Sequence, residues 1–95
     1  MTSTINQTTI AQVGAYMGYC GPLALIQVDE RTIRFHKPGR VARSVDVRYE
    51  RGSDTYTVQA HEIRGVDVKT QEWDGLYAED IGRMVETYTN PPSQR

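Results

Sequence analysis

A single cysteine, Cys20, stands in the chain. One thiol excludes an intrachain disulfide and a cysteine-built zinc cluster, and it fits a reducing compartment. Charge is absent from residues 1–28. With no Lys or Arg ahead of the apolar part there is no signal-peptide pattern, so a cytoplasmic location is expected. Residues 10–28 are uncharged and about as long as a membrane span, and Gly14 and Gly18 carry the spacing of a close-packed helix pair. Gln12, Gln27, Pro22, three glycines and the lack of basic anchors argue instead for a short helix followed by a buried strand. The chain has no internal repeat, no heptad run and no phosphate loop. Gly14, Gly18 and Gly21 do not follow that pattern, and no Lys-Ser/Thr pair comes after them.

What remains is one small α+β domain over residues 1–90, with residues 91–95 as a disordered tail. Ninety-five residues bury one modest core. The net charge of −1 supplies no global field toward nucleic acid or anionic lipid. The charges are unevenly placed, however. Residues 29–51 hold seven basic and four acidic side chains, and residues 52–95 hold four basic and eight acidic ones. That split predicts a basic edge and an acidic face.

Met1–Asn6 reads as a loose tail. Thr8 or Thr9 caps a helix from near Ile10, with Ile10, Val13 and Met17 on one side. Gly21-Pro22 ends it. The apolar run Leu23–Val28 reads as a buried strand, and Thr32–His36 alternates with Ile33 and Phe35 on one face. Lys37-Pro38-Gly39 opens a loop through Arg43. Two strands then flank Gly52-Ser53, read as a type II′ turn. That register pairs Arg51 with Asp54, Tyr49 with Tyr56, Val47 with Val58 and Val45 with Ala60, and it puts every large apolar residue on one face. A three-residue loop, Ile63-Arg64-Gly65, pairs Glu62 with Val66 and Ala60 with Val68, and makes residues 66–73 the last strand. Asp74 caps a final helix, whose stripe of Tyr77, Ile81, Met84, Val85 and Tyr88 covers the sheet until Asn90-Pro91-Pro92 stops it. The expected architecture is thus a short N-terminal helix, an antiparallel sheet of about five strands, and a C-terminal amphipathic helix packed on one face.

No group of residues carries a catalytic or metal-binding pattern. Cys20, His36 and His61 lack a spacing that brings a base to a nucleophile, and the two histidines have no third ligand at metal spacing. The acid pairs Asp29-Glu30 and Glu79-Asp80 belong to a turn and a helix start. No catalytic residue, metal or cofactor is therefore expected. Two surfaces are candidates for binding. The acidic one, with Asp67, Glu72, Glu79 and Asp80, suits a basic groove on a partner protein. The basic segment 31–43, with Arg34, Lys37, Arg40 and Arg43, suits phosphates.

The stretch from Ser53 to Thr89 resembles a group of short phage and prophage α+β proteins. The matching residues are Asp54-Thr55-Tyr56 in a hairpin, Arg64-Gly65 in a turn and Gly75-Leu76-Tyr77 at the start of the C-terminal helix, with Pro38-Gly39 earlier. The resemblance implies a non-enzymatic phage-type protein that binds and inhibits a host protein or ribonucleoprotein complex. An anti-CRISPR or other anti-defence inhibitor is the sharpest form of that expectation. A nucleic-acid-binding accessory protein using residues 31–43 is the alternative, and a small virion or assembly component, a homodimer included, is a third.

Overall fold

The computed structural model describes residues 3–16, 24–37 and 40–89. Helix α1 spans Thr4–Tyr16. Five strands follow: β1 Ala24–Asp29, β2 Thr32–Lys37, β3 Arg40–Glu50, β4 Thr55–Arg64 and β5 Asp67–Leu76. Helix α2, Ala78–Thr89, closes the chain. The strands form one antiparallel meander in the order β1-β2-β3-β4-β5. The two helices pack on each other and on one face of the sheet. The chain therefore has the expected α+β architecture, with a helix at each end and a five-stranded sheet between them. The expected 91–95 tail, Met17, Cys20, Gly21-Pro22 and Pro38-Gly39 lie outside the described residues.

The β3–β4 register is the expected one. Tyr49 pairs with Tyr56, Val47 with Val58 and Val45 with Ala60. Alternation then sends Ile33, Phe35, Val45, Val47, Tyr56 and Val58 to the helix side, where all six are buried. The turn itself differs. The last pair is Glu50 with Thr55, and the left-handed residue is Asp54 (φ 55°), not Gly52. Asp54 tolerates this conformation because its short polar side chain can hydrogen-bond locally. Its carboxylate accepts the Tyr49 hydroxyl at 2.6 Å, and the expected Arg51–Asp54 pairing does not form.

The β4–β5 connection overturns the three-residue loop. Arg64 pairs with Asp67 and Ile63 with Val68, which leaves a two-residue turn, Gly65-Val66, with Gly65 at φ 60°. This is the glycine-first pattern of a type II′ hairpin, whose twist matches that of the strands. Val66 is consequently 99% exposed at the turn tip. Val68 lies on the face away from the helices, beside Ile63, and not with Tyr56 and Val58. At its other end β5 runs past Trp73 to Leu76. An extra residue is absorbed between the Val58–Trp73 and Tyr56–Leu76 pairs, where Gly75 has φ 69°. This bulge returns Leu76 to the helix side.

The ends of the helices also move. Asp74 sits in β5, and α2 is capped differently: the Asp80 carboxylate accepts the Tyr77 backbone N–H at 3.1 Å, half of a capping box. Ile81 and Val85 are fully buried, Met84 and Tyr88 pack against them, and Tyr88 stacks on Trp73 with ring centroids 5.0 Å apart. Tyr77 leaves the stripe and is 60% exposed. Helix α1 starts at Thr4, well before Ile10. Ser3 caps it, its Oγ accepting the Asn6 N–H at 3.1 Å. Its buried side is Asn6, Thr9 and Val13, so two of three inward residues are polar and apolar spacing could not show it. Asn6 donates to Gln27 Oε1 (2.8 Å) and to the Asp29 carbonyl (2.7 Å), which ties α1 to β1.

Two strand readings change as well. β1 is an edge strand and exposed, not buried; Leu25, Ile26 and Val28 are each nearly half accessible. An apolar run cannot distinguish a central strand from an edge. β3 starts at Arg40, which pairs with Lys37, so the expected loop through Arg43 is strand.

Replacing Ile33 with Ala should cost about 2–5 kcal/mol, since it empties a closed core site. Replacing Val66 with Ala should change stability by less than about 0.5 kcal/mol. Urea unfolding of the two variants checks both, and a large loss for Val66→Ala would restore the longer loop.

Candidate functional site

Because both helices lie on one face, the other face of the sheet is bare among the described residues. Its side chains follow from the register. One cross-strand row is Ile26, Arg34, Asp46, Gln59 and Glu72; a second is Ser44, His61 and Thr70; a third pairs Ile63 with Val68. Asp46 is the hub. Arg34 grips it in a two-pronged ion pair, Nε to Oδ1 at 2.7 Å and Nη2 to Oδ2 at 3.0 Å. Its neighbours leave Asp46 only 7% exposed. His61 Nε2 lies 3.3 Å from Asp46 Oδ2, and its Nδ1 lies 3.1 Å from Thr70 Oγ1. A carboxylate only accepts, so the Nε2–H donates to Asp46, and Nδ1 shares a hydrogen bond with the Thr70 hydroxyl. Around this polar centre stand Ile26, Ile63 and Val68, each about half exposed or more, and with Arg34, His36, Ser44 and His61 they line a shallow pocket of about 260 Å³.

The Thr70–His61–Asp46 chain has the order of a hydroxyl, a base and an orienting acid. Asp46 already spends both oxygens on Arg34. Among the described residues, no group of three His, Cys, Asp or Glu side chains is placed to hold a metal ion.

The same face holds a second cluster nearer the β3–β4 turn. Arg48 donates to Glu50 (2.8 Å), and the single hydroxyl hydrogen of Thr57 is shared between Glu50 (2.8 Å) and the more distant Asp74 (3.2 Å). The Arg48 guanidinium, with Thr57 second, holds the Glu50 carboxyl below its ordinary value. At the β1–β2 turn the Arg31 backbone N–H does the same for Asp29.

The four acidic candidates do not form one surface. Glu72 is on the bare face and accepts from Gln59 at 2.6 Å. Asp67 opens β5, a strand length of roughly 30 Å from its other end. Asp80 caps α2, and Glu79 lines a cleft on the helix side. The basic candidates are divided too. Arg34 lies on the bare face and is neutralised by Asp46. Arg43 lies on the helix-side face, where it pairs with Glu62 at 2.7 Å. The Lys37 and Arg40 side chains lie outside the described residues. Sequence reasoning missed Asp46, His61, Ile63 and Val68 as one surface. The β3–β4 register already placed Asp46 and His61 on this face; joining Val68 to it required the β4–β5 register.

The chain matches no protein-family model, no curated protein and no solved structure. Among the described residues, no helix is long and apolar enough to cross a membrane.

Arg34→Ala should destabilise the domain more than Asp46→Ala, by on the order of 1 kcal/mol. The first leaves a buried carboxylate short of donors, whereas the Arg34 head is already 39% exposed and can be rehydrated. Chemical denaturation of both variants checks the order. The lowered carboxyls of Glu50 and Asp29 stabilise the fold in full above their ordinary values of 4.5 and 3.8. That contribution is lost as pH falls through the lowered folded values. Glu50→Gln with Asp29→Asn should therefore flatten the loss of stability from about pH 5 downward, as read by urea midpoints across that range.

Proposed function

We propose that this chain is a non-catalytic binding protein that docks the bare face of its sheet on a partner protein. The observation that carries this reading is the composition of that face: a fixed Arg34–Asp46–His61 centre with exposed Ile26, Ile63 and Val68 beside it. Apolar side chains supply area to remove from water, and a charged pair already held in place adds orientation at little entropic cost. The resemblance to short phage proteins supports the narrower version, in which the partner is a host protein or ribonucleoprotein complex and binding inhibits it, as an anti-CRISPR or other anti-defence protein would.

Nucleic acid is the weaker reading. Arg34, Arg43 and Arg48 are each paired with a carboxylate, and Arg34 and Arg43 point to opposite sides of the sheet. Phosphate binding draws on clustered, unneutralised cations.

Ile26, Ile63 and Val68 should be replaced together by Ser. The folded domain should persist, because all three are outside the core. The tagged native chain should capture one stoichiometric complex from bacterial lysate, resistant to nuclease, and the triple variant should lose it. Capture that disappears with nuclease, or that the triple variant retains in full, contradicts the reading.

A further inference from the structure

A second concave site lies on the helix side, on the opposite surface of the sheet. It is a cleft of about 520 Å³ where the start of α1, the β3–β4 turn and the start of α2 converge. Among the described residues, three tyrosines line it: Tyr49 and Tyr56, a cross-strand pair meeting edge to face at 5.5 Å, and Tyr77, largely exposed at the entrance to α2. Among the described residues, two carboxylates line it, Asp54 and Glu79, and no Lys or Arg does. The Asp54 carboxylate accepts the Tyr49 hydroxyl at 2.6 Å and holds that phenol protonated, with its pKa raised. Thr4, Thr8 and Gln12, one turn apart along α1, make the polar wall.

We propose that this cleft binds a basic side chain, the guanidinium of an arginine or the ammonium of a lysine, presented by a partner polypeptide. Aromatic faces attract a cation through their quadrupole, and the carboxylates add full charge. The competing influence is that of the helix ends. Both α1 and α2 begin here, and a helix N-terminus carries about +0.5 of an elementary charge, near +1 for the pair. Arg51 adds a further positive charge, close enough to act on the Tyr49 hydroxyl. Against about two positive charges stand the three carboxylates of Asp54, Glu79 and the capping Asp80, so the balance favours a cation. The cleft is large enough to take a long side chain with part of its backbone. The inference is independent of the proposal for the bare sheet face.

The test is an NMR titration of the full chain with Nα-acetyl-arginine amide, following the Tyr49, Tyr56 and Tyr77 ring signals. Controls are Nα-acetyl-norleucine amide, tetramethylammonium, acetate and inorganic phosphate. Saturable shifts with arginine amide, at least about tenfold weaker with norleucine amide, are expected. Asp54→Asn and Tyr77→Ala should each weaken binding about tenfold. Asn is among the residues that tolerate the left-handed backbone at position 54, and Tyr77 is outside the core, so both variants should keep the fold; Glu79→Gln, on an exposed helix position, is a third check. Equal binding of the norleucine amide, full retention of arginine affinity in all three variants, saturation by acetate or phosphate in place of arginine, or a clear preference for tetramethylammonium would each overturn the proposal.

Discussion

The pairing of β3 with β4 in one register is the constraint on which the rest of this structure depends. With Tyr49 opposite Tyr56, Val47 opposite Val58 and Val45 opposite Ala60, every large apolar side chain of the two central strands points the same way. A slip of one residue would turn one of the two strands over, burying either Asp46 and Arg48 of β3 or Thr57 of β4 under the helices and turning that strand's valines to water. The same alternation sends Asp46 and His61 to the uncovered side. Core and candidate binding face are therefore two products of one pairing, and neither can be altered by a register shift without loss of the other.

Two short helices then have to cover the apolar face, and they do so by different means. α2 brings Ile81 and Val85 fully into the core, each worth roughly 1.5–3 kcal/mol when buried, and its Tyr88 closes over Trp73. α1 brings chiefly Val13, with Ile10 half buried beside it. Its inward Asn6 and Thr9 have no comparable hydrophobic gain. Asn6 uses both amide hydrogens on Gln27 and Asp29, so α1 is held by hydrogen bonds to the β1–β2 hairpin as well as by packing. The arrangement leaves the outer part of β1 uncovered, which accounts for the exposure of Leu25, whereas Ile26 is exposed because it lies on the bare face.

The legible parts of the fold were those where several residues agreed. Alternation over Val45–Tyr49 and Tyr56–Ala60 allowed one register, and the stripe Ile81, Met84, Val85 and Tyr88 allowed one helix. Where one or two residues carried the decision, it went astray. Val66 and Val68 favoured a register that buried them, yet the preference of Gly65 for the first position of a two-residue turn won. Asn6 and Thr9 carry no apolar signal, so the first turns of α1 read as a tail. Leu23–Val28 is as apolar as a central strand, and only the order of strands shows it to be an edge. Charge along the chain did not map onto faces, because adjacent strand residues point to opposite sides; Arg34 and Arg43 are separated in that way. The bare face and the tyrosine cleft are assembled from residues distant in sequence, and each needed the topology to appear.

The most direct test of this account is a map of interproton contacts from Val68 by NMR. The account predicts contacts between the methyl groups of Val68 and Ile63, its direct cross-strand partner, and none from Val68 to Val58 or Ile81. Contacts from Val68 to Val58 or Ile81 would place it in the core. They would shift β5 in register and remove Val68 from the face on which the proposed function rests.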